Sequence, residues 1–97
     1  MSLEIITAEI AKQAANVEAL GAKLKFVLDD DIIFIDGSGS ENIVSNNDDE
    51  ADCSIITSKD TLAKLRDGSL NPMMAVMSGK VKIKGDMGLA MKLQSLI

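Results

Sequence analysis

Cys53 is the only thiol in the chain; it follows Asp52, and the sequence contains no histidine. A cysteine nucleophile needs an adjacent base to draw its proton away, and here only carboxylates and lysines remain for that role. Asp29-Asp30-Asp31 sets three carboxylates in a row. Calcium loops instead use alternating positions closed by a distant glutamate, so the run reads as turn chemistry. Gly37-Ser38-Gly39-Ser40 has the composition of a phosphate loop but lacks the P-loop lysine. The residues after it, Glu41 to Val44, read as strand rather than helix, which leaves a flexible turn. No catalytic group, metal site or cofactor is expected from these residues.

What the residue types do supply is deformable apolar surface. Five of the six methionines, Met73, Met74, Met77, Met87 and Met91, fall between Leu70 and Leu93, while Phe26 and Phe34 are the only aromatics. Methionine is unbranched and polarizable, and it fills variable space better than it specifies a rigid core. Charge divides along the same line. Residues 1–58 carry three lysines against twelve acids, a net −9, and residues 59–97 carry seven basic residues against three acids, a net +4. The overall charge of −5 argues against nucleic-acid binding, which needs a basic face. A basic, apolar half suits an anionic lipid head group or a membrane surface instead.

The 97 residues with 46% apolar content are expected to form one domain, 1–97, around an aliphatic core. A lone cysteine gives no internal disulfide, no apolar run approaches a membrane span, and the first residues lack the form of a signal peptide. Ser95-Leu96-Ile97 differs from the Ser-Lys-Leu peroxisomal address. The cytoplasm is the expected compartment.

The elements that position these residues follow from periodicity. Leu3, Ile6, Ile10, Ala14, Val17 and Leu20 recur at helical spacing over about 18 residues, with Ser2 as N-cap and Gly21 as stop. From Lys23 the period becomes two, with Leu24, Phe26 and Leu28 on one face. Ile32 to Ile35, Glu41 to Val44 and Ala51 to Thr57 read as further strands. Ser58 caps a helix that buries Leu62 and Leu65, and Asn71-Pro72 starts a short helix, apolar nearly all round. Lys80 to Lys84 is a strand with lysines on one side and Val81 and Ile83 on the other, and Leu89 to Ile97 closes the chain as an apolar helix. Helices at both ends of a run of strands predict an α+β fold: a mostly antiparallel, mixed sheet with helices on one face and water on the other. The last strand, reached through a helical connection, is expected to join in parallel.

Leu70-Asn71-Pro72, Ala75 and the run Gly79 to Gln94 (GKVKIKGDMGLAMKLQ) resemble the C-terminal signature of the sterol carrier protein type 2 family. Ala51-Asp52-Cys53 before a strand, then Ser58 and Asp60 opening a helix, resemble its central part; before residue 50 only the element order is similar. The resemblance implies a five-stranded sheet and an apolar lipid tunnel between sheet and helices. It further implies a stand-alone, non-catalytic carrier of sterols, fatty acids or fatty acyl-CoA. Expected lining residues are Phe26 and Phe34 on the strands, Leu62 and Leu65 on the central helix, and Val81 and Ile83 as the floor. Met73, Met74, Met77, Met87 and Met91 form the flexible walls, with Lys92 and Gln94 as the polar contacts. Transient contact with a membrane or a lipid enzyme is expected. A homodimer or other interaction module that covers the apolar C-terminal helix is the alternative.

Overall fold

The computed structural model describes residues 2–92 and 96. Helix α1, Leu3–Ala15, starts where the Ser2 hydroxyl accepts the Ile5 N–H at 3.3 Å. Ile6, Ile10 and Ala14, four residues apart, form its buried stripe. The helix is thirteen residues long, shorter than the periodicity predicts. Its end is taken by a side chain from far along the chain. The Asn42 amide donates to the carbonyls of Ala14 and Glu18 at 3.2 and 3.1 Å, and its oxygen accepts the Leu20 N–H at 3.0 Å. Val17 and Leu20 thus pack as a loop, where the pattern alone extends the helix through them.

Strands β1 (Lys23–Leu28) and β2 (Asp31–Asp36) form a hairpin, and β3 (Ile43–Ser45) pairs antiparallel with β2. Strand β4 (Cys53–Thr57) lies parallel to β1, and β5 (Lys82–Gly85) closes the sheet in the order β3-β2-β1-β4-β5. The sheet is therefore five-stranded and mixed as expected, but the parallel pair is β1–β4, whereas β5 runs antiparallel to β4. The reason lies in the number of helices between them. Two helices, α2 (Lys59–Asp67) and α3 (Pro72–Met77), carry the chain out and back. The Thr57 hydroxyl, at the end of β4, then donates to the Lys80 carbonyl at 2.9 Å. A strand that starts where its neighbour ended must run against it.

Register sorts the side chains into two faces. Leu24, Phe26, Leu28, Ile33, Ile35, Cys53 and Ile55 are buried together with residues of all four helices, the last being α4 (Met87–Ala90). The opposite face is not simply wetted. The β3–β4 connection crosses it, so that Asp48 accepts a 2.7 Å bond from the Lys25 ammonium. Phe34, the cross-strand partner of Lys25, is only 4% exposed on that face. None of the helices among the described residues is long and apolar enough to cross a membrane.

Candidate functional site

Between α3 and α4 lies an apolar cleft floored by β5. Its lining is Pro72, Met73 and Val76 from α3, Ile83 from β5, and Met87, Ala90 and Met91 from α4 and its C-terminal boundary. Local chemistry fixes both walls. The Asn71 side-chain oxygen accepts the Met73 N–H at 2.8 Å and Pro72 fills the first helical position, where its missing N–H costs nothing. At the other end of α3 the Ala75 carbonyl accepts from the N–H groups of Lys80 and Val81, at 2.9 and 3.2 Å, tying the helix to the start of β5. On the far wall, the Asp86 carboxylate accepts the Leu89 N–H at 3.2 Å and caps α4. Gly85 makes the turn between β5 and α4. Its φ is +102°, and a Cβ there would lie 2.3 Å from the Asp52 carbonyl oxygen.

The cleft measures about 40 Å³, well below the roughly 300–1,000 Å³ of sites that enclose a drug-sized ligand. Its methionines stand outward: Met73, Met87 and Met91 are each more than half exposed. They form a flexible rim over Ile83, with Ala75, Leu89 and Ala90 buried beneath.

The residues expected at the site divide into groups. Met73, Ile83, Met87 and Met91 come together in the cleft. Phe26, Leu62, Leu65 and Val81 are buried in the common core beneath the helices. Met74 and Met77 are exposed on α3 outside the cleft lining. Phe34 is separated from the rest by the sheet itself, because its position in β2 alternates with Ile33 and Ile35. Lys92 turns away from the methionines; its ammonium donates to the Leu20 carbonyl at 2.8 Å beside the α1–β1 loop. Gln94 lies outside the described residues. Pro72, Val76 and Ala90 line the cleft without having been singled out. Helical spacing could have found them, since Pro72 and Val76 are four apart and Met87, Ala90 and Met91 fall at i, i+3 and i+4.

Acid–base chemistry does not gather here. Cys53 is fully buried in β4, and burial, with the Asp86 charge nearby, pushes its thiol above the ordinary range. Among the described residues no group of three or more cysteine, aspartate or glutamate side chains is placed to hold a metal ion. The shifted carboxylates, Asp36 and Asp67, lie elsewhere, each held low by the hydroxyl and N–H of a serine two residues on. The site offers an adaptable apolar wall with a hydrogen-bonded frame, which is the chemistry of a binding site for greasy ligands.

Comparison with known proteins bears on the family and the fold. Residues 4–97 match the SCP-2 sterol transfer family. Sterol carrier protein 2 of Bos taurus is 46% identical over 59 residues, 61% of this chain and 11% of the relative. Hydroxysteroid dehydrogenase-like protein 2 of Bos taurus is 51% identical over 49 residues, 50% of this chain and 12% of that protein. The matched segments are thus about a tenth of the curated relatives' length. Among solved structures, the sterol carrier protein 2 of Aedes aegypti in complex with palmitate superposes with a TM-score of 0.74 at 21% identity, covering 100% of both chains. That likeness bears on the fold, which is the same mixed five-stranded sheet with helices. With a match that spans nearly all of its length, the chain belongs to the SCP-2 sterol transfer family.

Proposed function

We propose that this domain is a non-catalytic carrier that takes an acyl chain or sterol into the cleft between α3, β5 and α4. The observation that carries the reading is the rim of exposed methionines, Met73, Met87 and Met91, over an apolar floor. An acyl chain is larger than the cleft, so it enters by parting the methionines and the two short helices that bear them. Each hundred Å² of apolar surface removed from water yields roughly 2.5 kcal/mol, and methionine rotamers adapt to the incoming chain at small cost. The palmitate complex of the Aedes aegypti relative supports a fatty acid as one ligand class. Sterol and fatty acyl-CoA remain the other members of the proposal. The likeness to a dehydrogenase-like protein supports presentation of lipid to an enzyme, and the cytoplasm is the proposed compartment.

The reading is tested by displacement of a fluorescent fatty acid together with native mass spectrometry of the purified protein. Wild type should bind and release the probe at micromolar concentration, and Met91→Glu should weaken it at least tenfold while far-UV circular dichroism stays unchanged. Met91 is exposed, so a charge there is tolerated by the fold but not by a lipid tail. A wild-type protein that binds no probe ends the proposal. The same exposed methionines favour a second reading, a homodimer that covers them, and light scattering before and after delipidation separates the two.

A further inference from the structure

The free edge of β5 carries two chemistries in alternation. The Asp29 N–H donates to the Thr57 carbonyl at 3.2 Å, and the Asp86 N–H donates to the Asp52 carbonyl at 3.0 Å. Together these bonds set the phase of the ladder. Cys53, Ile55 and Thr57 turn their main-chain groups to β1, and Ser54 and Ile56 turn theirs to β5. Lys84 and Lys82, the partners of Ser54 and Ile56 in register, therefore direct their N–H and C=O groups to β4. Ile83, between them, points its own away from β4 and out of the sheet. β5 is the last strand in the order, and among the described residues no bond beyond the ladder engages Ile83. An unpaired edge of this kind is a template for a further strand. The side chains alternate as well. Ile83 lies opposite Ile55 on the helical face, half-buried, and lines the methionine cleft. Lys82 and Lys84 lie on the outer face, exposed, and no ion pair among the described residues holds either.

We infer that the β5 edge takes an extended segment of a partner protein as a sixth strand, one in which two acidic residues flank an apolar one. The main chain of that segment pairs with the N–H and C=O of Ile83. Its acids face Lys82 and Lys84 on the outer side, and its apolar side chain lies beside Ile83 on the side of the cleft. A strand added to a sheet edge gains affinity from main-chain bonds and specificity from alternate side chains, and opposite charges set across two strands attract. The same lysines exclude a second copy as the occupant. Two β5 strands pairing antiparallel about Ile83 would set Lys82 of each against Lys84 of the other, and like charges directly opposite are destabilising. Edge lysines thus block self-pairing and leave the edge open to an acidic strand. The inference goes beyond the carrier reading and does not require lipid in the cleft.

The probe is a fluorescein-labelled peptide, Thr-Ser-Glu-Val-Glu-Ser-Thr, titrated with the full chain after delipidation. A peptide with lysine in place of both glutamates is the control. Anisotropy should show the glutamate peptide binding roughly tenfold or more tighter than the lysine peptide, and added salt should weaken it. Lys82→Glu/Lys84→Glu should invert that preference with far-UV circular dichroism unchanged. Amide hydrogen exchange supplies a readout that surface charge alone would not move. The Ile83 N–H should exchange fast in the free protein and slowly with the glutamate peptide, whereas the Lys82 and Lys84 amides, already bonded to β4, should change little. No binding of the glutamate peptide, equal affinity for both peptides, an unaffected Ile83 amide, or a folded variant that keeps the wild-type preference would overturn the inference. So would a self-associated chain whose Ile83 amide is already protected. If the double variant does not fold, the wild-type exchange and the two peptides decide. Failure of fatty-acid displacement with the peptide results intact would count against the carrier reading alone.

Discussion

Asn42 holds Leu20 by a 3.0 Å hydrogen bond from the Leu20 N–H to the Asn42 side-chain oxygen. The same amide group donates to the carbonyls at Ala14 and Glu18. One side chain thereby ties the last turn of α1 to the loop that follows it, across 22 to 28 residues of sequence. Gly37 lets it approach, since a Cβ there would lie 2.5 Å from the Asn42 oxygen.

Replacing Asn42 by alanine should therefore cost about 2–3 kcal/mol of stability, because three hydrogen bonds go at once and the partly buried Leu20 N–H loses its acceptor. Urea denaturation should show a lower midpoint with an unchanged slope. In a domain of this size thermal unfolding should fall by roughly 10 °C or more.

Gly85→Ala should be destabilising by about 2 kcal/mol or more. It combines a left-handed backbone conformation with a clash against the Asp52 carbonyl, and neither can relax without moving β5 away from β4. Gly39→Ala, where a Cβ meets nothing within 4 Å, should change stability little. Paired chemical denaturation of the two variants checks the contrast.

Cys53 should resist modification while the protein is folded. Its side chain is fully buried and its thiol is held above the ordinary range by burial and by Asp86, so thiolate is scarce and inaccessible. Alkylation at neutral pH should run at least roughly a thousandfold slower in buffer than in guanidinium, the factor set by the rarity of the unfolded state. Fast labelling of the native protein would reopen a chemical role for this residue.

Acid should weaken the fold through Asp36 and Asp67. Ser38 and Ser69 hydrogen bonds lower both carboxyls from the ordinary value of 3.8. A group whose folded pKa is depressed stabilises the protein above its unfolded value, and that stability is lost as pH falls through the folded one. The loss should therefore appear below pH 3.8. Ser38→Ala should shrink the Asp36 share of it, measured as the difference in denaturation midpoint between neutral and acidic pH.

Much of the site's frame was legible along the chain because its signals are local. Asn71-Pro72 caps and starts α3, and alternation in β5 turns Ile83 away from its lysines, whereas α4 starts at Met87 under an Asp86 cap, two residues before the expected Leu89. The extent of the cleft was less legible. Periodicity says that a residue is apolar but not what covers it, so Met74 and Met77 look the same in sequence as Met73 and Met91. Phe34 shows the same limit: it is buried, but by a connection crossing the outer face, so its burial carries no information about the helical side.

The sequence by itself determined the order of the elements and the shared face of Leu24, Phe26 and Leu28 in β1, since these follow from residue spacing and local turn chemistry, and its C-terminal run carried the family resemblance. Tertiary structure decided the antiparallel seat of β5, the early end of α1 and the turning of Lys92 toward Leu20. It also left the methionines as an outward rim over a small cleft. The physical reason is common to the first three. Each depends on a partner distant in the chain, Thr57 for Lys80, Asn42 for Leu20, Leu20 for Lys92, and only closure of the fold brings those partners within hydrogen-bonding reach.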